Sequence, residues 1–173
     1  MKKISRFSKS LALVAPVVAM ATAESEAAAY IKFDGVDGEV TNGQFEGYIK
    51  VEFFKVEIEG AADRQGPNLK DLVISLPMEK SSPTLMLACA TGKIIPGASL
   101  VLTNTTRAGE EVAYLKIELK DVLVSSYSTT GNASDRPLDQ LSLGYTKVGW
   151  TYSVYDEGGA LKGTVKTPPI PRG

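Results

Sequence analysis

Residues 112–124 read Val-Ala-Tyr-Leu-Lys-Ile-Glu-Leu-Lys-Asp-Val-Leu-Val, and this alternation decides the fold class. Leu115, Ile117 and Leu119 fall on one face, separated by Lys116 and Glu118. Extended backbone points successive side chains to opposite faces, so a period of two marks a half-buried strand. The same pattern recurs on either side. Ile31 and Phe33 alternate with Tyr30, Lys32 and Asp34, and Ile49, Val51 and Phe53 alternate with Lys50 and Glu52. The phase slips at Phe53-Phe54, after which Phe54, Val56 and Ile58 share a face. Such a slip predicts a bulge that turns the strand through a barrel corner. Further strands are expected over Leu69–Leu76, Ala98–Thr103, Leu138–Tyr145 and Val148–Tyr155, with Gly144 and Gly149 marking bends or close backbone approach.

One short helix interrupts the strands, over about residues 83–91. Ser82 is a suitable N-cap, Pro83 fits the first helical position, and Gly92 supplies the stop. Leu85, Met86, Ala88 and Cys89 form an apolar patch at helical spacing. About two and a half turns are not stable alone, so the helix is expected to plug or cap the end of a barrel. Many short strands with one small helix predict an all-β fold, a compact barrel of two packed sheets.

The chain has 173 residues, of which 43% are apolar and 23% charged, as in one ordinary soluble domain. Residues 1–23 hold Lys2, Lys3, Arg6 and Lys9 and no acid. The remainder has fifteen basic against twenty acidic residues, a net charge of −5 that repels a phosphate backbone. No nucleic-acid partner is expected. Met1 to Ser10 is basic, Leu11 to Ala21 is apolar, and Ala21-Thr22-Ala23 closes the run with small residues. That order is the pattern of a secretory signal peptide cut after Ala23, with Ala27-Ala28-Ala29 as a second site. The 11-residue apolar run contains Pro16 and falls short of the about 20 residues that span a bilayer. The expected organisation is a signal over 1–23, or to 29, a barrel domain over 30–166 and a proline-rich, extended tail over 167–173. An exported protein without permanent membrane insertion follows.

Catalytic chemistry finds little to work with. The chain has no histidine and one cysteine, which excludes Ser-His and Cys-His nucleophiles, His-based zinc sites and intramolecular disulfides. No glycine-rich phosphate loop is present. Asp34, Asp37 and Glu39 cluster without the spacing of a calcium loop and read as a turn with solvated acids. Tyr145, Trp150, Tyr152 and Tyr155 are assigned to core packing and a subunit contact. No catalytic, cofactor-binding or metal residue is expected, and no cofactor.

Four collinear segments carry a resemblance. These are Tyr30–Glu39 (YIKFDGVDGE), Ser82–Lys93 (SPTLMLACATGK), Tyr114–Ser128 (YLKIELKDVLVSSYS), and Leu138–Leu143 followed by Val148–Tyr152 (LDQLSL, VGWTY). They resemble the Hcp family, the hemolysin-coregulated tube proteins of bacterial type VI secretion. The resemblance implies a β-barrel with one helix, assembling into six-membered rings that stack into an expelled tube. It also implies spike, sheath and effector proteins as partners, no enzyme activity and a Gram-negative source. The polar excursion Gly60–Asn68, with Asp63, Arg64, Gly66 and Pro67, falls where that family has a longer loop reaching toward a neighbouring subunit. Family members typically begin almost directly with the first strand. A signal that delivers this chain to the periplasm therefore leaves open a second reading, an exported Hcp-like binding module outside the tube.

Overall fold

The computed structural model describes residues 27–41, 43–60, 67–107 and 109–172. The expectations for Ala21 and Ala23, and for Asp63, Arg64 and Gly66, lie outside those residues. In chain order the strands are β1 (Ala27–Phe33), β2 (Ile49–Lys50), β3 (Phe53–Lys55), β4 (Ile58–Glu59), β5 (Asn68–Leu69) and β6 (Leu72–Pro77). The helix α1 (Ser82–Thr91) follows, then β7 (Ile94–Thr105), β8 (Glu111–Thr130), β9 (Leu138–Gly144), β10 (Lys147–Tyr155), β11 (Leu161–Lys166) and β12 (Ile170–Pro171).

The alternating run at 112–124 becomes the middle of β8, the spine of the sheet. One edge of β8 pairs with β7, from Thr105 opposite Glu111 to Ile94 opposite Leu123. The other edge pairs with β10, from Tyr152 opposite Leu115 to Lys147 opposite Lys120, and then with β9, from Gly144 opposite Leu123 to Leu138 opposite Thr130. Strands β9 and β10 are consecutive, so together they lie along β8 as one long antiparallel partner. The exchange happens at Asp121, whose φ of 49° bends the strand. Thr146, between β9 and β10, secures the bend by donating its hydroxyl to Asp121 Oδ2 at 2.6 Å and its N–H to the Lys120 carbonyl at 2.9 Å.

Strand order along the main sheet is β2-β1-β7-β8-β9-β6-β3. The ladder is an open path and not a closed ring of paired strands. Its two ends, β2 and β3, are nevertheless consecutive in sequence, separated by Val51 and Glu52. Val51 N–H donates to the Ala29 carbonyl of β1 at 2.8 Å, while Glu52 N–H donates to the Ser75 carbonyl of β6 at 2.9 Å. The chain thus steps from one end of the path to the other at these two residues. The expected corner therefore lies at Val51–Glu52, ahead of Phe53-Phe54. This corrects the facing of Phe53, which is 53% exposed while Ile49 and Val51 are buried. The predicted strand Leu69–Leu76 is likewise divided, with Leu69 pairing in the small β4–β5 sheet and Leu72–Pro77 in the main one.

Inward residues from all these strands form one core, including Ile31, Phe33, Ile74, Leu100, Leu119, Val122, Leu141 and Leu143. Helix α1 adds Leu85 and Ala88, and half-buried Cys89 packs against the same cluster. The expected stop at Gly92 holds. At φ 66° the glycine directs its own N–H to the Cys89 carbonyl, and Lys93 N–H reaches the Ala88 carbonyl. The expected start needs correction. Ser81 is the N-cap and makes no side-chain cap bond, whereas Ser82 lies inside the first turn.

A smaller apolar cluster sits on the outer face of β1 and β7. Phe45, in a single 3-10 turn (Gly43–Phe45), stacks on Tyr30 at 4.7 Å between ring centroids and meets Tyr48 edge-on at 5.6 Å. Gly38 permits this fold-back, because a Cβ there would stand 2.1 Å from the Tyr48 carbonyl oxygen. At the other terminus the tail is docked and not merely extended. Ile170 pairs with Val148, and the Arg172 guanidinium bonds Asp71 at 2.6 Å and lies over the Tyr145 ring.

Candidate functional site

The helix that sequence reasoning singled out is tied to the sheet by a buried polar cluster. Ser82 Oγ donates to Asp139 Oδ2 at 2.6 Å and accepts the Glu79 N–H at 2.9 Å. Thr129 Oγ1 donates to Asp139 Oδ1 at 2.7 Å. Asp139 is 1% exposed and lies on β9, so a carboxylate buried in the sheet holds the first turn of α1. This is why Ser82 is not the cap: its hydroxyl is taken by an acid 57 residues away. The Tyr127 hydroxyl is buried beside this cluster without a hydrogen bond to a described residue. Burial pushes its phenol well above the usual range, and Asp139 pushes the same way. Beside a phenol held neutral, the acid accepts two hydroxyl donors and ties the first turn of α1 to β9.

Of the other helix residues, Leu85 is buried, Met86 and Cys89 are half-buried, and Pro83 is exposed. Leu87 and Ile94 turn outward at 62% and 50% exposure. The acids at 34–39 are drawn apart from one another. Asp37 bonds Lys32 at 2.5 Å, and Glu39 bonds Arg136 at 2.7 Å while accepting the Lys80 N–H at 3.0 Å. These cations hold both carboxyls below their ordinary values, chiefly through the side-chain hydrogen bonds. Among the described residues no cluster of acids and cysteine is arranged to hold a metal. At the polar excursion, Gly60 follows β4, Pro67 precedes β5, and Asn68 Nδ2 donates to Glu59 Oε2 across the β4–β5 pair at 2.5 Å.

The surface most suited to contact includes Tyr152, which sequence reasoning offered for a subunit contact, and extends it onto a strand that sequence reasoning did not foresee. Strand β11 is exposed at every position and, among the described residues, pairs only with β10. Tyr152 stands opposite Leu115 on one side and Val165 on the other, so the three share the face that continues the core. Here that face is bare: Tyr152 is 48% exposed, Val154 47%, Leu161 57% and Val165 67%. Tyr114 meets the Tyr152 ring edge-on at 6.1 Å. The alternation Leu161-Lys162-Gly163-Thr164-Val165-Lys166 was a usable signal, and Asp156-Glu157-Gly158-Gly159 is a hairpin turn. Asp156 Oδ1 accepts the N–H groups of Gly158 and Ala160, and Gly159 has φ 87°. A long apolar edge left open invites another chain.

Comparison with known proteins places these surfaces in context. A family model described as "Type VI secretion system effector, Hcp" matches residues 30–152. Protein hcp1 of Pseudomonas aeruginosa is 40% identical over 98 residues, covering 56% of this chain and 59% of that protein, so the match spans about three-fifths of the curated relative. A solved type six secretion system protein superposes with a TM-score of 0.70 at 29% identity, over 83% of this chain and 93% of the other. Hcp1 from Salmonella typhimurium superposes with a TM-score of 0.69 at 26% identity, over 81% and 91%. A type VI secretion system effector from Yersinia pestis, 22% identical over 83% and 98%, shares the fold with a TM-score of 0.67.

Proposed function

Because the chain belongs to the Hcp family of type VI secretion proteins, we propose that it is a self-assembling structural component, forming hexameric rings that stack into the expelled inner tube. The observation that carries this reading is the uncovered wing of β10 and β11. A core-facing surface with Tyr152, Val154 and Val165 in solvent is the expected state of one subunit removed from its neighbours. Effector proteins inside the ring, a spike protein at the tip of the tube and sheath proteins are the partners that go with this role. No reaction is assigned to the protein.

Export enters the same proposal through the N-terminus. Cleavage after Ala23 leaves β1 whole. Cleavage after Ala29 would remove Ala27, Ala28 and Ala29, which stand opposite Asn104, Thr103 and Leu102 of β7. The first site is therefore preferred. Gel filtration and negative-stain imaging of the mature protein test the assembly, with rings expected. A monomer at high concentration would sink it. Release that persists when the type VI apparatus is deleted would favour the exported binding module instead.

A further inference from the structure

The outward face of β8 and β10 carries an unbalanced pattern of positive charge. Lys120 and Lys147 stand directly opposite each other, both exposed, and like charges at that cross-strand spacing repel. Lys166 lies opposite Thr151, four residues further along β10, or roughly 13 Å from the first pair. None of the three forms an ion pair with a described residue. By contrast, Lys116 is satisfied by Glu118 at 2.9 Å, and five other described lysines also hold carboxylates. Between the two basic positions lies Gly149, where a Cβ would meet nothing within 4 Å, and opposite it stands Glu118, the one acid lining the depression among the described residues, its charge already met by Lys116.

We propose that this face binds an extended acidic polypeptide segment laid across Gly149, with its carboxylates meeting Lys120 and Lys147 at one end and Lys166 at the other. A single phosphate or carboxylate cannot span roughly 13 Å, whereas acids four residues apart on an extended chain match that distance. Single-stranded nucleic acid fits less well. Trp150, which borders the depression, stands opposite Ile117 and packs half-buried against the core, and the chain beyond residue 23 carries a net charge of −5 that repels a phosphate backbone. Bound carboxylates would also relieve the Lys120–Lys147 repulsion, which gives a reason for the pair to be there.

The test is fluorescence anisotropy of a labelled octaglutamate peptide with the mature full chain. Saturable binding is expected, falling about tenfold between roughly 50 and 300 mM salt as the charges are screened. The triple variant Lys120→Gln, Lys147→Gln, Lys166→Gln should lose at least about tenfold in affinity, as expected for removing three charge contacts. Substituting the ion-paired Lys50, Lys55 and Lys70 by Gln should leave binding unchanged. The single variant Lys147→Gln guards against misfolding: it should weaken binding severalfold while keeping or raising the melting temperature. Absence of saturable binding, equal loss in the control variant, or tighter binding of an oligodeoxythymidine of matched charge would overturn the proposal.

Discussion

The two ends of the β8–β10 ladder have the same backbone pairing and opposite surroundings. Around Leu119 and Val148 the inward side chains are almost fully buried in the main core. Beyond Leu115 and Tyr152 the same face continues onto β11, where Leu161 and Val165 are exposed. Alternation of side chains is equally good in both places. What differs is whether a second layer exists to cover the face, and burial, not pairing, supplies most of the stabilisation. One end is thus held by this chain's own core, and the other keeps an exposed apolar surface, the one proposed above to meet a second copy.

That contrast can be broken or sharpened by substitution, beginning where the effect on stability is largest. Leu85→Ala, in the covered end, should cost about 3 kcal/mol in chemical denaturation, since it empties a site that is 1% exposed. Asp139→Asn should cost about 2 kcal/mol, because an amide cannot accept from both Ser82 and Thr129. Ser82→Ala should cost about 1 kcal/mol through the same network, with Ser81→Ala losing less. A larger loss at Ser81 would restore the simple capping account.

The next effect is a dependence on pH. An unfolded tyrosine ionises near 10, whereas folded Tyr127 retains its proton to higher pH. Between those values the native state holds a proton that the unfolded state has lost, so stability falls as pH rises past about 10. Tyr127→Phe should flatten this slope, leaving the part due to Tyr145, whose phenol is also raised by burial. Thermal melts from pH 8 to 11 read the difference, and an unchanged slope would remove Tyr127 from the account. Smallest of all, Val165→Ala should shift the melt of the dissociated subunit by less than about 0.5 kcal/mol. The charged variant Val165→Lys should prevent ring formation in gel filtration, and intact rings would separate this wing from the subunit contact.

Legibility followed the range of each interaction. The stop at Gly92 was readable because an αL residue closing a helix is a local matter. The strands at Ile31–Phe33, Leu115–Leu119 and Leu141–Leu143 were readable because their alternation is written in the residues themselves. Phe53 was misread since its facing depends on where β2 hands the chain to β3. The strand at Leu161–Lys166 was missed, because Gly163 weakens its propensity and no burial marks it.

From sequence alone came the all-β class, the single short helix and its end, the lack of histidine chemistry and the likeness to the tube proteins. These rest on neighbouring residues and on collinear segments. Tertiary structure alone decided that Val51 and Glu52 link the two ends of the sheet path, that Asp139 takes the Ser82 hydroxyl, and that the face of β10 and β11 stays bare. Each of those depends on which distant residue arrives at a given place, and a linear pattern does not encode that arrival.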